Sequence, residues 1–150
     1  MRKFILDTGI LLHYVRQSSL AKVIEDDLGI MAEESVPIIA SVSVGEMEGF
    51  VQRQEWGDKK IDRFKKLVSR LIVINIKAED ENLIDNYATL WNYSKNNLPG
   101  DKLGQSIGIN QNDVWIAALT RTVNAELVTT DNDFDHLNHK WLTVHQYPNE

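Results

Sequence analysis

The chain has 150 residues, which favours a single domain over 1–150, and its net charge is −6. It contains no cysteine, which excludes disulfides, thiolate metal sites and cysteine nucleophiles. The acidic balance argues against a protein that passively coats nucleic acid, but it allows an enzyme whose acidic site meets phosphate through a metal ion. No signal peptide or membrane span is expected, so the cytoplasm is the expected location.

Short apolar strands alternate with amphipathic helices along the chain. The first strand is predicted at 4–6 within "KFILDTGILLHYV", and further strands are predicted at 37–41, 72–76, 127–129 and 142–144. Helices are predicted after residue 9 and at 18–28, 43–51, 58–71, 80–93 and 113–123. The stretch 94–111 is rich in glycine and asparagine and is predicted to be a long loop. This alternation predicts an α/β fold with a mostly parallel sheet of about five strands and helices on both faces.

Acidic residues follow the predicted strands at three places and begin a helix at a fourth. Asp7 ends the first strand, Glu46 lies one turn into the helix after the second, and Asp131 follows the strand at 127–129. Asp113 lies at the head of the helix that precedes that strand. Because chemistry in parallel sheets sits at the carboxyl ends of the strands, we expect these four side chains to converge on one rim.

Carboxylates crowded in this way favour a divalent cation. At separations of about 4–6 Å they repel each other, and at least one normally takes up a proton. Mg²⁺ or Mn²⁺ removes this repulsion, binds phosphate oxygens and lowers the pKa of a bound water. An acidic site with only oxygen ligands therefore suits metal-dependent hydrolysis of phosphodiesters.

Each acid also has a purely structural interpretation. Ser43 and Glu46 have the spacing of a capping box, and Asp113 stands where a helix dipole favours negative charge. Asp131 fits the cap of a short turn, and Asp7 fits a turn beside glycine. These interpretations do not explain why acids follow three separate strands, and a cap is compatible with metal binding.

The tripeptide Asp7-Thr8-Gly9 is also found in other enzyme classes, and the rest of the chain argues against them. An aspartic protease needs an all-β body and a second aspartate from a symmetric lobe, whereas helices dominate here. A phosphatase of the haloacid dehalogenase kind needs a second acid where Gly9 stands. A dinucleotide-binding fold needs a G-x-G-x-x-G sequence after the first strand, which is absent.

Four segments, "FILDTGILLHYV", "SVSVGEMEGF", "NQNDVWIAAL" and "LVTTDNDFDHL", resemble the successive motifs of PIN-domain ribonucleases, most of all the VapC-type toxins of bacterial toxin–antitoxin pairs. The resemblance implies a three-layer α/β/α fold and hydrolysis of RNA supported by Mg²⁺ or Mn²⁺. It implies a homodimer and a small antitoxin protein as partner. It also implies that four acids are both catalytic and metal-binding: Asp7, Glu46, Asp113 and Asp131. Asp7 and Asp113 would be the strongest ligands.

Several alternatives stay open at this point. Asp133 competes with Asp131 as the fourth acid, and Thr8 and Thr130 are expected to place hydroxyl groups beside the site. A catalytically silent PIN-fold protein that binds RNA or another protein remains the alternative function. The number of metal ions, the RNA target and the role of the loop at 94–111 do not follow from the sequence.

Basic residues offer two further hypotheses. A cluster on the predicted helix 58–71 is either a solvated face or a contact for RNA or for an acidic antitoxin tail. Arg16 and Arg53 lie nearer the predicted rim along the sequence, and either fits the role of steadying a phosphate in the transition state.

Overall fold

The computed structural model describes residues 1–149, in which strands and helices alternate. The strands are β1 (Arg2–Leu6), β2 (Ser35–Ala40), β3 (Ile72–Ile74), β4 (Glu126–Thr129) and β5 (Thr143–Gln146). The helices are α1 (Thr8–Arg16), α2 (Ser19–Leu28), α3 (Ser41–Arg53), α4 (Asp58–Ser69), α5 (Glu81–Ser94) and α6 (Gln111–Thr122), and a 3₁₀ helix covers Asn132–Leu137. The α/β class predicted from the sequence is confirmed.

The five strands form one sheet in the order β3-β2-β1-β4-β5, and each neighbouring pair is parallel. β1 is the central strand, and its residues Phe4, Ile5 and Leu6 are fully buried. A parallel strand covered on both faces loses all contact with water, which explains its continuous apolar run. The predicted sheet of about five strands is therefore confirmed.

Helices cover both faces of the sheet, and successive residues of β1 point to opposite cores. Phe4 and Leu6 pack into a core with residues from α1 to α4. Ile5 packs into a second core with residues from α5 and α6. This alternation follows from the two-residue repeat of a strand and gives the predicted three-layer α/β/α arrangement.

Helix α3 begins two residues before the predicted start. Its N-cap is Ala40, which makes no side-chain capping hydrogen bond. Because this last residue of β2 already has the extended backbone of an N-cap, the helix starts at Ser41, directly after the strand. The capping-box interpretation of Ser43 and Glu46 is therefore wrong. Within residues 1–149 the buried hydroxyl of Ser43 has no hydrogen-bond partner.

Helix α6 also begins earlier than predicted, at Gln111, because Asn110 caps it. The side chain of Asn110 accepts a hydrogen bond from the backbone N–H of Asp113 at 2.9 Å.

Strand β3 ends at Ile74, two residues before the predicted end, since its last pairing is with Ala40 at the end of β2. An edge strand continues only as far as its one neighbour.

The predicted loop between α5 and α6 has no helix or strand, and the side chain of Lys95 holds its last residues. The Lys95 ammonium donates hydrogen bonds to the backbone carbonyls of Ile107 at 2.8 Å and Ile109 at 3.1 Å. These bonds fix the last residues of the loop just before α6, the helix that carries Asp113 in its first turn.

In the part of the chain described, no helix has the length and apolar character that crossing a membrane requires.

Candidate metal-binding active site

The four acids predicted from separate stretches of sequence lie in one cleft at the carboxyl end of the sheet. Asp7 follows β1, Asp131 follows β4, and Glu46 and Asp113 lie on α3 and α6. All four line a cleft of about 610 Å³. Its other lining residues are uncharged: Thr8, Gly9, Asn110, Thr130, Asn132, Gln146, Pro148 and Asn149. Among the described residues, therefore, no lysine or arginine neutralises the cleft from within.

Asp7 is a rigidly held, buried carboxylate. It is 7% exposed, and its two oxygens accept hydrogen bonds from the Thr8 N–H at 2.8 Å and the Thr129 hydroxyl at 2.7 Å. Burial raises the pKa of Asp7, these two hydrogen bonds oppose the rise, and the nearby charges of Glu46 and Asp131 add to it. The side chain thus has one fixed position in the cleft.

Asp113 is the most perturbed acid of the cleft. It is 8% exposed, and within residues 1–149 no group donates a hydrogen bond to its carboxylate. Burial, followed by the charges of Asp7, Asp131 and Glu46, raises the pKa of Asp113 to about 7. The positive end of the α6 dipole favours a negative charge here, but burial and the other carboxylates outweigh it.

Glu46 and Asp131 complete the cleft from more exposed positions. Glu46 accepts a hydrogen bond from the Thr8 hydroxyl at 2.9 Å, which joins the starts of α3 and α1. Asp131 caps the 3₁₀ helix by accepting from the backbone N–H of Asp133 at 2.8 Å. The capping interpretation of Asp131 is therefore confirmed, while the residue also lines the cleft.

Asp133, the competing fourth acid, does not line the cleft. Burial and the charge of Asp131 raise the pKa of Asp133, and its effect on the pKa of Asp113 ranks behind those of the other three acids. This placement favours Asp131 over Asp133 as the acid that acts with Asp7.

The chemistry of the cleft fits a hard divalent cation that keeps part of its water shell. Within residues 1–149, no three acidic or imidazole side chains stand close enough to enclose an ion directly. Mg²⁺ binds through one or two carboxylates and retains several waters, so such an enclosure is not needed. Within residues 1–149 no group donates a hydrogen bond to the buried Asp113 carboxylate. A cation would relieve its repulsion by four neighbouring carboxylates, those of Asp7, Asp131, Glu46 and Asp133.

Thr129 contacts two of the acids, and the sequence analysis missed it. Its hydroxyl donates to Asp7 and accepts from the backbone N–H of Asp131 at 3.0 Å, so it joins two of the acids. The predicted hydroxyl residues, Thr8 and Thr130, also line the cleft. The missed signal was the polar Thr129 directly after the buried pair Leu127 and Val128, because a hydroxyl buried there needs a hydrogen-bond partner.

Arg16 and Arg53 do not line the cleft. Their guanidinium carbons lie 5.9 and 5.5 Å from the centre of the Phe50 ring, at the ends of α1 and α3 that point away from the acids. Neither therefore stands where the hypothesis of direct contact with the reacting phosphate needs it.

The Thr129→Val variant tests the link between the acids. Valine keeps the shape but removes the hydroxyl, so the Asp7 carboxylate and the Asp131 N–H each lose a buried partner. We expect the free energy of unfolding to fall by about 1–2 kcal/mol and Mn²⁺ affinity to fall about 10–100-fold. Urea unfolding and calorimetric Mn²⁺ titration measure these effects. The control is Thr143→Val, which makes the same replacement at an exposed position on β5. Unchanged Mn²⁺ affinity in Thr129→Val would refute the role of Thr129 in holding Asp7 and Asp131 together.

The chain was compared with protein-family models and with known proteins. The family model described as "PIN domain" matches residues 4–140. No curated protein matches the chain.

Solved structures share the fold over nearly the full length of both chains. VapBC2 from Rickettsia felis, bound to a DNA fragment from its promoter, gives a TM-score of 0.72 at 18% identity and covers 97% of this chain and 98% of that chain. VapBC-1 from nontypeable Haemophilus influenzae gives 0.72 at 19%, covering 96% and 97%. FitAcB from Neisseria gonorrhoeae gives 0.63 at 21%, covering 95% and 96%. Because the family model extends from β1 past the 3₁₀ helix, the chain belongs to the PIN domain family.

Proposed function

We propose that this protein is an endoribonuclease that hydrolyses RNA phosphodiester bonds with Mg²⁺ or Mn²⁺. One observation carries the proposal: a single cleft is lined by four acids from distant stretches of sequence, Asp7, Glu46, Asp113 and Asp131. Among residues 1–149, no cationic side chain lines this cleft to offset their charge. A cleft of this kind repels a phosphodiester unless a divalent cation lies between them. Membership of the PIN domain family is consistent with this chemistry.

The chain's own residues take distinct roles in the proposal. Asp7, fixed by Thr8 and Thr129, and Asp113 hold the cation. Glu46 and Asp131, the more accessible acids, orient the attacking water and accept its proton. A bound divalent cation would polarise the scissile phosphate and lower the pKa of that water.

The biological role we propose is that of a toxin in a toxin–antitoxin pair. On this proposal residues 1–150 act as one PIN domain, form a homodimer and are inhibited by a small antitoxin protein. Solved structures similar to this chain include VapBC complexes, and one is described as a member of the VapBC family of toxin–antitoxin systems. This likeness supports the role without assigning it.

A cleavage assay tests the proposed activity. The purified protein is incubated with labelled single-stranded RNA in Mg²⁺, in Mn²⁺ and in EDTA, beside the Asp7→Asn variant. We expect cleavage only with metal, and cleavage at least about a hundredfold slower in Asp7→Asn. Replacing a residue that only hydrogen-bonds to a metal ligand already lowers activity about 10–100-fold, and Asp7 is proposed to be a ligand itself. Asp85→Asn, on the exposed side of α5, is the matched control and should cleave like the parent.

The same assay addresses the alternative of a silent PIN fold that only binds. That alternative draws on the spacing of the acids, no three of which enclose an ion directly within residues 1–149. RNA binding without cleavage in either metal would favour it. Cleavage that persists in EDTA or in Asp7→Asn would rule out the metal-dependent mechanism.

A further inference from the structure

Two arginines and a phenylalanine form a compact cluster outside the cleft. The Arg16 and Arg53 guanidinium carbons both lie within 6 Å of the centre of the Phe50 ring, at 5.9 and 5.5 Å. The ring of Trp56 packs edge-on against Phe50 at 5.9 Å, and the Lys60 ammonium lies 4.9 Å from the centre of the Trp56 ring. We call these five residues the arginine–aromatic cluster.

The guanidinium groups of this cluster have no anionic partner. Within residues 1–149, neither Arg16 nor Arg53 makes a side-chain hydrogen bond or an ion pair, and both are exposed. Two of the other four arginines are engaged: Arg2 pairs with Glu126 at 2.7 Å, and Arg121 donates to Trp141 O at 2.6 Å. Two like charges held on one ring repel each other, and the ring offsets this only in part. An anion would satisfy both groups.

The two arginines of the cluster lie on α1, which follows Asp7, and on α3, which carries Glu46. The hydrogen bond from the Thr8 hydroxyl to Glu46 joins the first residue of α1 to the first half of α3 at the cleft. Arg16 ends α1, and Arg53 ends α3. At 1.5 Å per residue, the helices carry the two arginines about 10–12 Å from the acids. A strand that passes through the cleft therefore reaches the cluster within a few nucleotides.

We propose that the arginine–aromatic cluster binds a phosphate group of the RNA strand, a few nucleotides away from the bond that is cleaved. This inference rests on the proposed nuclease function. The planar guanidinium group can donate to two phosphate oxygens at once, and both guanidinium carbons already lie within 6 Å of the centre of the Phe50 ring before RNA arrives. Arginine beside an aromatic ring is also suited to contact with bases of a single strand.

The acidic cleft repels RNA when metal is absent, so a cationic contact elsewhere on the protein would be needed to attract the strand. With a net charge of −6, the protein does not attract RNA through its overall charge. The cluster supplies local attraction and fixes the register of the strand relative to the cleft. Because it binds substrate and transition state equally, it contributes to affinity rather than to the chemical step.

The test compares RNA binding by two matched double variants of the full chain. Arg16→Gln/Arg53→Gln removes the two cluster charges. Lys3→Gln/Lys22→Gln, at the start of β1 and on α2, removes the same charge elsewhere. Binding of a dye-labelled single-stranded RNA is followed by fluorescence anisotropy in EDTA, which prevents metal-dependent cleavage, at several salt concentrations. Thermal unfolding checks that each variant folds like the parent.

We expect Arg16→Gln/Arg53→Gln to bind about twentyfold more weakly than the parent near 0.1 M salt. The slope of log K against log salt should become shallower by about 1.4, because each single-strand phosphate contact contributes about 0.7. Arg16→Lys/Arg53→Lys should keep most of the slope while losing affinity, since lysine retains the charge but not the fork. The Lys3/Lys22 control should change affinity by less than about twofold.

Three results obtained with the variants would overturn the inference. The first is an unchanged affinity and slope in Arg16→Gln/Arg53→Gln, and the second is an equal loss in the Lys3/Lys22 control. The third is loss of binding to an Asp/Glu-rich peptide with RNA binding intact, which would assign the cluster to a protein partner. None of these affects the nuclease proposal, which the cleavage assay decides separately. A parent that binds no RNA in EDTA would also end the inference, while metal-dependent cleavage would still stand.

Discussion

The Asp113→Asn variant is expected to be more stable than the parent protein at pH 8 without metal, and to be inactive as a nuclease. The parent must keep the Asp113 carboxylate charged at pH 8 although it is buried among Asp7, Asp131 and Glu46. Asparagine has nearly the same shape and no charge, so the variant avoids both the burial penalty and the repulsion. We expect a gain of about 2 kcal/mol in the free energy of unfolding, after allowing for water in the cleft.

The sign of the pH dependence follows from the pKa of Asp113. That pKa is about 7 in the folded protein, against 3.8 for an unperturbed aspartate. The unfolded chain therefore releases this proton at lower pH than the folded protein does. Ionisation of Asp113 therefore lowers the free energy of unfolding of the parent as pH rises from about 4 to about 7, and has no further effect above that pH. The advantage of Asp113→Asn should accordingly be larger at pH 8 than at pH 5.

Urea unfolding in EDTA at pH 5 and pH 8 measures this advantage, and Asp85→Asn is the control. Asp85 is exposed on α5 and outside the cleft, so its replacement should change stability by less than about 0.5 kcal/mol at either pH. Asp113→Asn proving no more stable than the parent at pH 8 would mean that the carboxylates do not crowd each other. Full nuclease activity in Asp113→Asn would remove this residue from the site.

Mn²⁺ is expected to stabilise the parent protein, and to do so more at pH 8 than at pH 6. A cation bound only by the folded cleft stabilises it by about 2.7 kcal/mol at a hundred times its dissociation constant. For a chain of this size that corresponds to a rise of about 5–10 °C in the unfolding midpoint. Below about pH 7 the Asp113 carboxyl holds a proton that Mn²⁺ must displace, so affinity should fall with pH.

Variants separate binding in the cleft from binding elsewhere. Asp7→Asn should abolish the Mn²⁺-dependent rise, because Asp7 is the fixed carboxylate of the cleft. Asp85→Asn should keep it. A parent whose unfolding midpoint does not respond to Mn²⁺ at pH 8 would favour the silent, binding-only alternative. A rise that is equal at pH 6 and pH 8 would show that Asp113 does not give up a proton to the cation.

The sequence predicted the sheet because a central parallel strand leaves a clear pattern. The buried run Phe4-Ile5-Leu6 has no polar interruption, and Asp7 marks its end. The order of alternating elements then brings acids from separate strands to one rim. Helix starts were less predictable, since Ala40 begins α3 through its backbone angles alone and no side chain signals it.

The hydrogen bonds within the cleft could not be predicted from the sequence, for a different reason. The double contact of Thr129 with Asp7 and Asp131 depends on how β1 and β4 are paired, and pairing register is not visible in one chain. Arg16 and Arg53 were expected near the rim because they follow Asp7 and Glu46 closely in sequence. Their helices instead extend away from the acids and bring both side chains to Phe50.

The central claim is that carboxylates from distant parts of the chain hold one or more divalent cations in the cleft. Anomalous X-ray scattering from a crystal of the protein soaked in Mn²⁺ tests it most directly. The account predicts an anomalous peak between Asp7 and Asp113, and its absence from Asp7→Asn crystals grown in the same way. Manganese found only outside this cleft, at occupancy that Asp7→Asn does not alter, would contradict it.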